Sequence, residues 1–131
     1  MIGLDTNVLV RLLTADEPAQ LKVAARLLAA HEGEVGAFFI NDMVLVEVMW
    51  VLGRSYGVSR IDAVSAIQSL LDNDAFAFED RARLTRVVTL CTQQTVDFAE
   101  TMIALKNAAA LCEHTVTFDR AMRGLPSVRL I

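Results

Sequence analysis

The sequence predicts a single α/β domain with a central, mainly parallel β-sheet flanked by α-helices. Three observations predict it. Short apolar or β-branched runs alternate with longer segments of helical spacing, which is the signature of strand–helix–strand units. The strand candidates are apolar enough to be covered on both faces, as parallel strands are. A length of 131 residues and a hydrophobic fraction of 54% suit one core, with no linker, repeat or low-complexity tract. The whole chain, 1–131, is therefore expected to be one domain.

The elements follow in order. Met1–Leu4 reads as a short buried strand, and Thr6–Leu13, apolar with one arginine, as a short helix. Pro18–Ala30 has helical spacing, with Leu21, Ala24, Ala25 and Leu28 on one face, and Gly33 and Gly36 punctuate the loop after it. Ala37–Ile40 is a strand candidate. Asn41 or Asp42 caps the next helix, which runs to about Arg54, and Gly57 ends that segment. Ser59 caps a helix to about Leu71, and Ala75–Phe78 is another strand candidate. Asp80–Thr92 and Asp97–Ala110 read as helices, Thr115–Phe118 as a β-branched strand and Val128–Ile131 as a last strand. Helices outnumber strands, so some of them are expected to form a separate hairpin.

Composition excludes several classes. No stretch of about 18 apolar residues is free of charge, so no membrane span is expected. The N-terminus lacks the basic region, apolar core and cleavage site of a signal peptide, which makes the cytoplasm the default location. Cys91 and Cys112 show no CxxC spacing and no paired histidines; both are expected as buried free thiols. His31 and His114 are isolated and read as surface residues rather than zinc ligands. There is no Ser-His-Asp set and no Gly-rich phosphate loop. A net charge of −4 does not advertise a nucleic-acid binder, but setting aside five clustered acids would leave 11 acidic against 12 basic residues.

The isolated acids are what call for explanation. Asp5 closes the first apolar run. Glu47 is the one charge in "MVLVEVMWVL", Met43–Leu52, and a helix apolar on all sides is expected to be buried. An ionised carboxylate there is costly unless paired or bound to metal. Asp97 and Glu100, in "TVDFAETMIAL", share a helix face. Asp119 follows an apolar strand in "TVTFDRAMRGL". Each has an ordinary reading alone: an ion pair of Glu47 with Arg11 or Arg54 or a protonated core glutamate there, a helix cap at Asp97, a turn or cap at Asp119. Taken together they change the odds. If the strands before Asp5 and Asp119 are parallel neighbours, both carboxylates land on the same sheet edge, where such folds bind ligands. Four or five converging carboxylates need a counter-charge, and an oxygen-only donor set suits Mg²⁺ or Mn²⁺.

"LDTNVLVRLL", "VLVEVMWVL", "DFAETMIA" and "TFDRAM" follow one another in an order and spacing that resemble PIN-domain proteins, especially the VapC-type toxins of bacterial toxin–antitoxin pairs. The resemblance covers almost the whole chain. It implies a PIN-like fold, a single PIN domain and a metal-dependent endoribonuclease. It places the metal-binding acids on Asp5, Glu47 and Asp119. Where the family usually has an aspartate, this chain has Glu100, and Asp97 matches another acid common in this subgroup. The third ligand is therefore open between Asp97 and Glu100. Thr6 and Asn7 beside Asp5, and Thr117 beside Asp119, are candidates for orienting an aspartate or a metal-bound water; capping and strand packing are the competing readings. Arg11 is a candidate for meeting phosphate or holding Glu47, and Asp42 reads as a cap.

The implied chemistry is phosphodiester hydrolysis without a covalent protein intermediate, using Mg²⁺ with Mn²⁺ as an alternative. Arg120, Arg123, Arg11 and Arg54 are candidate RNA-backbone contacts, and no stacking platform can be named. An aspartyl phosphatase would also place an acid after its first strand, but it commonly needs a second Asp where this chain has Asn7. A non-enzymatic alternative is a degenerate PIN scaffold that binds RNA or protein without cleavage. The resemblance implies an RNA substrate, a cognate antitoxin protein and a homodimer, with the apolar helices of Pro18–Leu71 available for both protein surfaces.

Overall fold

A computed structural model describes the whole chain, Met1–Ile131. It has an α/β architecture with five strands and six α-helices, dividing into two compact units, Met1–Arg81 and Ala82–Ile131.

The first unit holds β1 (Ile2–Gly3), α1 (Thr6–Thr14), α2 (Pro18–Ala30), β2 (Phe38–Ile40), α3 (Asp42–Tyr56), α4 (Arg60–Leu71) and β3 (Phe76–Phe78). Its strands form one parallel sheet in the order β1-β2-β3, with Ile2 opposite Phe38 and Phe38 opposite Phe76. Each crossover is a helix pair, as parallel neighbours require. Phe38 is fully buried at the centre, its ring 6.3 Å from that of Phe76 and edge-on to His31 at 5.5 Å. Leu9, Ile40, Leu45, Val48 and Ile67 complete this core.

Local chemistry sets the helix ends. Asn41, rather than Asp42, caps α3: its side chain accepts the Val44 N–H at 2.9 Å. Asp42 is instead buried in the first turn, and its own N–H donates to Glu79 at 3.2 Å. Gly57 closes α3 at φ 61°, a left-handed conformation that costs glycine least. Ser59 caps α4 by accepting the Asp62 N–H. Arg81 donates to the carbonyls of Leu71 and Phe76 at 2.6 and 2.7 Å, with its guanidinium over the Phe78 ring, and so staples the end of α4 to the start of β3.

Two expectations fail in this unit. Helix α3 is not buried on all sides: Leu45, Val48 and Leu52 face the core, while Met43 (80% exposed), Glu47 and Trp50 (64% exposed) form an outward stripe. A helix packed along one side needs only one apolar stripe, and α3 carries more apolar residues than its packing uses. Nor does Arg11 hold Glu47. It donates to Gln20 at 2.6 Å, Tyr56 at 3.0 Å and Asp16 at 3.3 Å, while the Tyr56 and Thr14 hydroxyls hold the Asp16 carboxyl below its ordinary range. That network joins α1, the start of α2 and the end of α3.

The second unit holds most of α5 (Arg81–Gln93), together with α6 (Phe98–Ala109), β4 (Thr115–Thr117) and β5 (Val128–Leu130). Val87, Cys91, Phe98, Thr101 and Ala104 form its buried centre. The Cys91 thiol lies 3.8 Å from the Thr101 hydroxyl, and Asn107 reaches from α6 to Thr115 of β4 at 3.0 Å. Strands β4 and β5 pair in parallel, Thr115 with Val128 and Thr117 with Leu130. The strands therefore pair in two parallel sheets, one within each unit. Local apolar patterning marks strands but carries no record of which strands pair. Cys112 is exposed, not buried, because α6 stops at Ala109 and Leu111 turns to φ 66° before it. No helix is long and apolar enough to cross a membrane.

Candidate functional site

Within the second unit the acids are built from the backbone outward. Asp97 is the N-cap of α6 and accepts the Glu100 N–H at 3.0 Å, so the cap itself fixes the spacing of the two acids. The buried Thr101 hydroxyl donates to the Asp97 carbonyl at 2.6 Å and anchors the same turn. At the end of β4 the Thr117 hydroxyl accepts the Asp119 N–H at 3.0 Å. Asp119 in turn accepts the Ala121 N–H at 2.8 Å, heading a 3₁₀ turn at Arg120–Met122. This local bonding turns the chain sharply just after the strand.

These two constructions meet. The carboxyl groups of Asp119 and Asp97 lie close enough to act on Glu100. Burial first, then the neighbouring Asp119 carboxyl, then the charge of Asp97 push the Glu100 carboxyl from its ordinary 4.5 up to about 7. Asp97 meets its capping role, and nothing in that role prevents its second oxygen from serving a ligand.

The acids of the first unit stand apart from ordinary structural roles. Asp5 has N-cap backbone geometry at α1, yet its side chain makes no cap bond. Glu47 is exposed and forms no ion pair with Arg11 or Arg54. Thr6 is buried at the start of α1, and Asn7 is exposed at the edge of a groove. That groove, of about 490 Å³, runs between α1 and α2 and is lined by Val8, Arg11, Ala19, Gln20, Val23 and Leu27.

No three His, Cys, Asp or Glu side chains come close enough together to form a ready-made metal cage. The donor chemistry of Asp97, Glu100 and Asp119 nevertheless fits a hard divalent cation. The donors are oxygens only and partly open to solvent. One feature was missed from sequence: Phe118, 83% exposed beside Asp119, reads in "TVTFD" as one more strand residue.

An α/β frame that presents acids at a strand end and a helix start offers the oxygen donors that hard cations take. This chain belongs to the PIN-domain family, whose model matches residues 2–126 and so spans both units. PIN domains are a family of metal-dependent nucleases. Comparison with curated proteins and with solved structures finds no match to the chain.

Proposed function

We propose that this protein is a divalent-metal-dependent endoribonuclease and the toxin of a toxin–antitoxin pair. The observation that carries the nuclease reading is the grouping of Glu100 with Asp119 and Asp97, close enough for both aspartates to act on its carboxyl, in a chain of the PIN family. Asp97, Glu100 and Asp119 would hold Mg²⁺, with Mn²⁺ as the alternative, and the family motif assigns Asp5 and Glu47 to the same chemistry. When bound, the metal lowers the pKa of a water and supplies hydroxide for attack on the phosphodiester. The chain's own residues do the rest. Glu100 would be favoured in its charged form by a bound cation. Thr117 and the Asp97 cap keep Asp119 and Glu100 in place, and the acids exclude RNA until their charge is neutralised.

The degenerate-scaffold reading has one foothold, Glu100 in place of the usual aspartate. A longer side chain that still reaches Asp119 keeps the pair intact, which favours the enzyme. For partners, we propose a cognate antitoxin whose helix packs in the α1–α2 groove, and a homodimer through the exposed α3 stripe. The apolar lining of the groove and the exposure of Met43 and Trp50 support these assignments.

The test is cleavage of total RNA by purified protein with Mg²⁺ or Mn²⁺, with and without EDTA. Cutting that requires metal supports the enzyme. Folded protein that cuts nothing in a total RNA pool would favour the binding-only scaffold.

A further inference from the structure

The charge of this chain is unevenly divided. Of its 16 acidic residues, the second unit, Ala82–Ile131, holds four: Asp97, Glu100, Glu113 and Asp119. It holds six of the 12 basic residues: Arg83, Arg86, Lys106, Arg120, Arg123 and Arg129. The first unit therefore carries a net −6, and the unit that holds Glu100 and Asp119 is net basic at +2. Arg120, Arg123 and Arg129 are exposed and engage no side-chain hydrogen bond or ion pair. Arg120 follows Asp119 directly, and Arg129 lies opposite Val116 on the neighbouring strand, one strand spacing away.

Phe118, the residue before Asp119, has 83% of its surface exposed. A phenylalanine there gives up the burial that its ring normally seeks. Val116, two residues earlier, is exposed as well, so the end of β4 offers an open apolar surface. We propose that Phe118 is a base-stacking platform, and that Arg120, Arg123 and Arg129 grip the phosphates of a single RNA strand as it passes Asp119. This rests on the ribonuclease reading and adds to it how the substrate is held. An exposed aromatic ring on a strand end that also carries exposed arginines matches a single strand, whose bases are free to stack and whose phosphates carry the opposite charge. A second copy of the chain fits worse, because a self-contact here would set the unpaired arginines against one another. A duplex fits worse too, since its bases are already stacked.

The test measures binding apart from cleavage. A short single-stranded RNA is titrated by fluorescence anisotropy with Asp5→Asn protein in Mg²⁺, with Phe118→Ala, Phe118→Leu and Phe118→Trp added to that background. Phe118→Ala and Phe118→Leu are expected to weaken binding about tenfold, and Phe118→Trp to restore it, since only an aromatic ring stacks. Arg123→Ala is expected to lower the salt slope of binding by about 0.7. Equal affinity of the alanine, leucine and parent proteins overturns the platform. So does a loss of mass by sedimentation in Phe118→Ala, which would make the patch a contact between copies. If wild-type protein cleaves RNA while Phe118→Ala binds normally, the platform alone falls; if wild-type protein neither binds nor cleaves RNA, both readings fall.

Discussion

At the scale of single residues, Glu100 holds its proton up to about 7 because burial and two neighbouring acids oppose its charge. In the unfolded chain the same group releases its proton near 4.5. Between those values the folded state binds more protons than the unfolded one, so stability falls as pH rises through that window. Metal-free protein is expected to melt at a higher temperature at pH 5 than at pH 8. Glu100→Gln should flatten that dependence, and Mg²⁺ should raise the melting temperature of wild-type protein at pH 8. A Tm unchanged by pH in EDTA would show that the pair does not form. The identities of these acids were legible in sequence because lone carboxylates in apolar runs are conspicuous. Their relation to one another was not, because the approach of Asp119 to Glu100 depends on how the start of α6 meets the end of β4. Phe118 was illegible for a related reason: its exposure depends on a strand ending one residue sooner than its β-prone side chains suggest.

Among the elements, termini were the most readable feature. Pro18–Ala30 was bounded correctly by its N-terminal proline and its apolar spacing, and Ser59 and Gly57 act as the cap and stop their residue types predict. Gly57→Ala is expected to cost about 1 kcal/mol, measured by denaturant unfolding, since a Cβ meets nothing there and only the backbone conformation objects. Arg81→Ala is expected to cost about 2 kcal/mol, because two backbone carbonyls lose a charged donor. If Arg81→Ala unfolds at the wild-type midpoint, the staple between α4 and β3 contributes nothing. Helix α3 was read too simply. Its pattern showed more apolar positions than one packing face can use, and the surplus is the Met43–Trp50 stripe. Trp50→Glu should leave the fold intact and convert a dimer to monomers in sedimentation; a dimer that survives would place the contact elsewhere.

For the molecule as a whole, the α/β class followed from alternation, whereas the division into two parallel sheets did not. Strand pairing is a long-range property, and a two-residue strand such as β1 leaves little local trace. Net charge misled in a similar way: an acidic total hides a basic unit, the one that holds Glu100 and Asp119. The central claim, that these acids run a metal-dependent cut in RNA, is tested most directly at Asp119. RNA cleavage by wild-type and Asp119→Asn protein would be compared in Mg²⁺, with circular dichroism to confirm that the variant folds. Losing one carboxylate ligand is expected to reduce the rate by about 100-fold or more, with the helical signal unchanged. A folded Asp119→Asn protein that still cuts at the wild-type rate would contradict it.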